Sequence, residues 1–397
     1  MSLFLLALTG ILLLWAGVLL AFARPLLARW REPVFCYPIL ILESDDWGAG
    51  PLAQAEALTS VSDLLKRIRD TSGRPVLMSL GVVLEVPDGA RIAASGCQEY
   101  HGLTLLDARF DKIRAAMQDG IHAGVFAPQL HGQCHYWPPA VLRAAQNNIA
   151  VQLWLTTPEP ATTENLPSHL QSRWIDASQL PSRALPAELI QQAVLAEAAT
   201  YHAIFGETPR VAVATTFVWN NTVEAAWRTA GVEVVITPGH RAICRNATGH
   251  TAGKDATMLT GQRSPAGQRY LVRNVYFEPT FGHVPERLLK GLQERTEQGR
   301  ACLVEIHRFN FLQALDESLA TLEAALRAAL DHCPSLRFIA PLELAHAIQT
   351  QDPDWVETRW IPRLTAWRVR ADEIPRFRRL TQLSGLTLLL ALLKRAA

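Results

Sequence analysis

Residues 37–50 read "YPILILESDDWGAG". The first half is a short apolar run of the kind that forms a strand buried on both faces. The second half sets two adjacent aspartates, Asp45 and Asp46, at the point where that strand leaves the core, followed by Trp47 and Gly48. Like charges side by side repel, so such a pair answers to a cation, a proton or a reaction. A buried strand ending in polar chemistry belongs to folds in which strands and helices alternate and the carboxyl ends of parallel strands carry the site.

Alternation of this kind continues along the chain. Strand-like runs fall at 37–43, 75–84, 123–130, 149–155, 210–217, 232–237, 271–277, 302–307 and 336–340. Helical patterns fall near 52–70, 108–119, 138–147, 186–205, 220–230, 284–299, 313–332 and 341–349, the last but one with Leu315, Leu319, Leu322 and Leu326 at helix spacing. Strands alternating with helices argue for a parallel α/β sheet or barrel. Residues 85–107, 156–185 and 238–268 lack a period and are rich in turn formers, so they read as excursions that shape a pocket.

After the third strand comes "QLHGQCHYWPP", with His131 and His135 four residues apart. On one helical turn, or in a tight loop feeding a helix, that spacing turns two imidazoles towards one point. Pro138 and Pro139 suit the first turn of the helix that follows. Two neutral imidazoles and one carboxylate make a three-ligand site with a position left open for water, the arrangement a hydrolytic divalent metal needs. A third histidine, His307, closes the strand-like "CLVEIH". Either motif alone is weak. Three histidines and two aspartates on separate strand ends are hard to explain as core.

These motifs together, with "SDDWG", "RNVYFEP" and "EIHRFNF" as written here, resemble the polysaccharide deacetylase superfamily, carbohydrate esterase family four and its relatives, over residues 37–348. The wording "SDDWG" resembles one branch of deacetylase-like proteins. The resemblance implies a distorted (β/α) barrel of about seven parallel strands. It makes Asp45 the general base, Asp46 the metal ligand beside His131 and His135, and His307 the general acid. The reaction implied is metal-assisted hydrolysis of an N-acyl, commonly N-acetyl, group on a sugar. Zinc best suits a His2Asp donor set, although cobalt, nickel or manganese occupy such sites too. One departure stands out: the superfamily's Arg-x-Pro-Tyr motif is absent, and Arg210 does not align. The arginine that orients the base is then supplied by Arg273 of "VRNVYFEP" or by Arg308.

Several neighbours of these motifs have two readings. Glu278 is a second acid or a sugar-hydroxyl acceptor, or else a strand-end carboxylate paired with Arg273 or another cation. Trp47 and Trp137 stack on sugar rings, or else fill core. With Arg273 and Arg308 they form the candidate substrate-side set. His101, His122, His240, His250 and His283 show no partner pattern and read as structural or solvent-facing.

The two ends read as membrane-associated. Residues 3–23 carry no charge and reach the length of about 20 apolar residues that spans a bilayer. Arg24, Arg29 and Arg31 follow, so the positive-inside rule places the bulk of the chain in the cytoplasm, behind a single-pass anchor in the inner membrane. Residues 376–397 hold an apolar run between basic flanks and read equally as an interfacial helix or an ordinary core helix. The expected organisation is an anchor at 1–24, a catalytic barrel at 36–350, a linker at 351–375 and a membrane-associated helix at 376–397.

The formal net charge of +1 offers no global attraction to nucleic acid, and no phosphate-binding glycine loop is present. Six scattered cysteines without a CxxC pair read as free thiols. The expected partners are a carbohydrate, either a polysaccharide or a polyprenyl-linked sugar, and a membrane. Two other functions fit the same residues: a non-catalytic sugar-binding scaffold of an envelope polysaccharide system, and a glycoside hydrolase using two carboxylates across the bond, Glu278 among them.

Overall fold

The computed structural model describes residues 2–157, 162–255 and 257–387. Nine parallel strands form the central sheet: β1 (Ile39–Gly48), β2 (Met78–Val83), β3 (Phe126–Leu130), β4 (Val211–Val213), β5 (Val234–Thr237), β6 (Arg269–Val272), β7 (Val275–Tyr276), β8 (Cys302–His307) and β9 (Arg337–Phe338). Eight of them run in the order β6-β5-β4-β3-β2-β1-β8-β7, and β9 pairs with the start of β1. The parallel α/β expectation stands, with nine strands where about seven were expected.

The sheet curls because of how its two edges are joined. β6 and β7 lie at opposite edges, yet only Arg273 and Asn274 separate them. The Arg273 N–H bonds the Thr237 carbonyl beside β6, and the Asn274 N–H bonds the Leu303 carbonyl in β8. Two residues span only a few ångströms, so the edges must approach one another, and Arg273 stands in the seam between them.

Alternation along each strand divides the core. Leu40 and Leu42 of β1, Met78, Leu80 and Val82 of β2 and Val304 and Ile306 of β8 pack against the surrounding helices. Ile39 and Ile41 face the interior with Val213, Ile236, Leu271 and Leu303, where the helix Pro341–Thr350 adds Leu344 and Ile348. The period of two therefore turns Glu43, Asp45, Gly81, Glu305 and His307 inward.

Two expectations about local structure are corrected. Residues Ile149–Leu155 form a helix, not a strand. Asn148 caps it by accepting the Ala150 N–H, a start signal that outweighs the ambiguous apolar run. Residues 351–375 are not a simple linker. Trp360–Ala371 is a helix lying against the N-terminal end of the chain. Its Arg370 is fully buried and donates to the carbonyls of Glu32, Pro33 and Gln298 at 2.9, 2.7 and 2.6 Å.

At the N-terminus α1 (Ser2–Ala21) is followed by α2 (Ala23–Arg31). Among the described residues no single helix is long and apolar enough to cross a membrane. Leu5–Ala21 and Ala23–Arg31 pass by length and composition only as a pair bent by 64°. The segment expected to associate with membranes begins as the helix Pro375–Leu383, whose Phe377 joins Val18, Leu26 and Leu386 in a small core. Residues 388–397 lie outside the described residues. All six cysteines are unpaired.

Candidate functional site

The site starts from an irregularity in β1. Unbroken alternation would point Asp46 to the helix side with Leu42 and Ser44, and Trp47 inward with Asp45. Instead the pairing of β1 with β2 slips between Ser44 and Trp47, and Asp46 takes a left-handed φ of 74°. Such a bulge re-aims side chains, and aspartate tolerates the left-handed region better than most residues. Asp46 thereby reaches the same cavity as Asp45. Trp47 is returned to the outer face, where it is fully buried, donates its indole N–H to Ser44 Oγ at 2.8 Å and faces Phe311. It belongs to the core and not to a substrate surface.

His131 and His135 come from the loop after β3, with Gly132 at a φ of 93°. A side chain there would be strained by that φ and would crowd the Cys134 carbonyl at 3.0 Å. The loop is held from outside: the Gln133 N–H bonds Glu197 at 3.0 Å, and the Gln133 side chain donates to Glu85 at 2.9 Å. Glu85 belongs to the hairpin Glu85–Pro87 with Gly102–Thr104, so the irregular stretch 85–107 braces the histidine loop.

Nε2 of His131 and Nε2 of His135 stand 3.4 and 3.3 Å from Asp46 Oδ1, and all three residues are buried. His131 Nδ1 lies 3.0 Å from the Val213 carbonyl, which places a proton on Nδ1 and turns Nε2 towards Asp46. Asp46 Oδ1 has no hydrogen-bond donor, although it is buried. A buried, unsatisfied carboxylate oxygen faced by two imidazole nitrogens is an arrangement that a divalent cation completes. These three residues could hold such an ion. Burial pushes the His135 imidazole down to about 4, against the pull of Asp46. It is therefore neutral at physiological pH, the form that ligates.

Asp45 is gripped by Arg273 from the seam. Nη1 and Nη2 meet its two oxygens at 2.5 and 2.8 Å, while Nε reaches Glu43 at 2.5 Å. Burial pushes the Asp45 carboxyl up, but Arg273 and His131 outweigh it and hold the group at about 2. Glu43, with burial the larger influence, rises to about 7 despite the same arginine. Gly81 makes room: a Cβ there would lie 2.3 Å from Asp45 Oδ1.

His307 closes β8 opposite. Its Nδ1 lies 2.5 Å from Glu278, its Nε2 lies 3.8 Å from Glu305, and its ring stacks on Phe309. Burial lowers the imidazole, but the Glu278 hydrogen bond and the charges of Asp46, Glu278 and Asp45 raise it to about 10. His307 is thus an imidazolium near neutral pH.

Glu278 is a strand-end carboxylate paired with a cation, as read from the sequence, and that cation is His307 and not Arg273. It is fully buried, accepts from the His307 backbone and ring and from Asn310, and its own N–H goes to His283. Arg308 is also buried and donates to both oxygens of Glu164 at 2.8 and 2.9 Å, so it tethers a loop and does not orient the base. His283, read as structural or solvent-facing, is a neighbour of the site through Glu278. Trp137 stays half-buried beneath the Arg173 guanidinium, 5.4 Å from its ring centroid.

Glu43, Gly81, Glu85, Glu164 and Glu305 were missed by motif reasoning. Glu43 and Glu305 were within reach of it, since each lies two residues before a motif residue on the same strand face.

Comparison with known proteins gives a partial picture. The family model for glycosyl hydrolase family 57 matches residues 177–270, less than a quarter of the chain. That segment contains β4 and β5 but none of Asp45, Asp46, His131, His135 or His307. No curated protein matches significantly. Among solved structures the chain is similar to a family 4 carbohydrate esterase from Streptomyces lividans, at 11% identity and a TM-score of 0.36, over 76% of this chain and 92% of that one. It is similar to a Mycobacterium smegmatis protein described as a polysaccharide deacetylase, at 10% identity and a TM-score of 0.42, over 81% and 94%. It is also similar to the 4-alpha-glucanotransferase of Thermococcus litoralis, at 9% identity and 0.38, over 77% of this chain and 39% of that one. Likenesses this distant assign no reaction.

Proposed function

We propose that this chain is a metal-dependent hydrolase that removes an acyl group, foremost acetyl, from the amino group of a carbohydrate. The observation that carries this reading is the convergence of Asp46, His131 and His135 on an unsatisfied Asp46 oxygen, with Asp45 and His307 beside it.

A divalent ion, zinc by the chemistry of the donor set, would be held by Asp46, His131 and His135 and would supply a polarised carbonyl and a more acidic water. The chain's own groups do the rest. Asp45, kept ionised and oriented by Arg273, accepts a proton from the attacking water. The new C–O bond forms at the acyl carbon, and as the C–N bond breaks His307 gives its Nε2 proton to the departing amine. Glu278 holds the opposite ring nitrogen, so Nε2 faces the site. Arg273 and Glu278 are therefore positioning residues.

A glycoside hydrolase, favoured by the short family-57 match, needs two free carboxylates flanking the bond. Glu278, the carboxylate that reading relies on, is fully buried and committed to His307 and Asn310, which weighs against it. A purely scaffolding role leaves the acid and base without a task. Association with a membrane through α1 and the C-terminal helices is part of the proposal. Its support is the unpartnered apolar surface of α1, where Leu6, Leu13 and Leu20 are 71, 67 and 76% exposed.

The test is acetate release from N-acetylated oligosaccharides by the zinc-loaded full chain, with metal content measured alongside. Release that disappears in Asp45→Asn while zinc stays bound supports the reading. Zinc binding with no release from any N-acylated sugar, together with cleavage of glycosidic bonds, sinks it.

A further inference from the structure

A cavity of about 700 Å³ opens between α2 and the segment 257–263, well away from the histidine loop in sequence and lined by Arg29, Arg31, Glu32, Thr260, Gln262 and Arg263. Its charge is unbalanced. Glu32 is the one acidic lining residue, and both its oxygens are taken by Arg300 at 2.7 and 2.8 Å. Arg29 donates Nη1 to the Pro25 carbonyl at 3.3 Å, its one ion pair is a 3.7 Å contact with Glu373, which also serves Arg300, and its buried Nε has no hydrogen-bond partner. Among the described residues neither Arg31 nor Arg263 has an ion-pair partner. Arg269, half-buried behind the cavity wall, donates to the Gly261 carbonyl at 2.8 Å and leaves its Nε unpaired. Three guanidiniums thus line a space whose only carboxylate is already committed, in a chain whose net charge is just +1.

Guanidinium groups match the geometry of phosphate oxygens. The surroundings specify what carries the phosphate. α2 continues directly from the apolar α1, and Leu27 on α2 and Leu20 on α1 are exposed, as are Leu380 and Leu383 of the helix that packs on α1. A soluble anion would leave that apolar surface bare. An amphiphile satisfies both.

We propose that this cavity binds the headgroup phosphate of an anionic lipid, with the acyl chains lying along α1. The proposal rests on the membrane association described above and is independent of the hydrolytic chemistry. It makes α2 a docking element that sets how the barrel sits on the bilayer.

The test uses the detergent-solubilised full chain and native mass spectrometry, with phosphatidylglycerol and phosphatidylcholine as probes. The wild type is expected to retain phosphatidylglycerol about fivefold over phosphatidylcholine, a modest bias for a few arginines near a headgroup. The double variant R31Q/R263Q loses that preference. The variant R376Q/R378Q/R379Q removes more charge from outside the cavity and keeps it. Equal retention of both lipids by the wild type, or equal loss in both variants, overturns the site. So does capture of inorganic phosphate in place of the lipid at about 10 mM, a concentration that screens only weakly. Sedimentation with phosphatidylcholine vesicles reads attachment separately. A chain that sediments but shows no lipid preference loses the headgroup site alone, whereas a chain that stays in solution removes the attachment on which the site depends.

Discussion

Arg273 holds Asp45 by both terminal nitrogens, at 2.5 and 2.8 Å, across 228 residues of sequence. The contact exists because the chain crosses from one edge of the curled sheet to the other at this residue, which turns the guanidinium into the interior between β5 and β8. Arg273 is the cation shared by a layer in which Glu43, Asp45 and Glu305 all face inward.

Removing that cation should be severe. Arg273→Gln leaves buried carboxylates unpaired, and breaking such a buried arrangement costs about 3–5 kcal/mol. Urea unfolding of the variant is expected to show a loss of that order. Adding Asp45→Asn to it should recover part of the loss, because the carboxylate that Arg273 grips with both terminal nitrogens is then gone. Loss within about 0.5 kcal/mol, the range of surface substitutions, contradicts the structure.

Metal binding should depend on each of the three converging residues. His135→Ala or Asp46→Asn is expected to weaken zinc binding by at least about 100-fold, since even outer-shell partners are worth about 10–100-fold. Competition with a chromophoric chelator measures this directly. Asp45→Asn, which leaves the three intact, should retain zinc and lose activity by about 10²–10⁴-fold.

Glu278 should control the pH response of His307. The His307 imidazole is raised to about 10, so its stabilising contribution is complete below 6.5 and is lost as pH climbs through 10. Wild-type protein, unfolded by urea in chelator, should therefore lose more stability between pH 6.5 and 10 than Glu278→Gln does. In turnover, the alkaline limb of kcat/KM should move to lower pH in the variant while KM changes little. A superimposable pair of profiles assigns Glu278 to structure alone.

Space matters at Gly81 as much as charge does elsewhere. Gly81→Ala would place a methyl 2.3 Å from Asp45 Oδ1, with the strand backbone unable to withdraw. Overpacking of this kind costs about 1–3 kcal/mol, and displacement of the base should lower kcat with zinc binding unchanged. Ser79→Ala, on the same inward face, should be near neutral, because the Ser79 hydroxyl has no partner to lose.

The fold class was legible because parallel strands buried on both faces are nearly continuous apolar runs, and the helices between them keep their 3.6 period. The run at 149–155 misled because six apolar residues around Gln152 carry no period that separates strand from helix, and only the Asn148 cap distinguishes them. The converging histidines were legible from their spacing. Trp47 was not, because its direction depends on a bulge whose presence no local pattern announces.

By itself the sequence determined that strands and helices alternate, and that aspartates and histidines stand at strand ends, since period and polarity are local properties of the chain. Only the tertiary structure decided which arginine meets Asp45, that Glu278 serves His307, and that Asp46 and not Trp47 enters the cavity. Those outcomes follow from sheet curvature, a left-handed residue and contacts between segments hundreds of residues apart, and such quantities exist only once the chain has closed on itself.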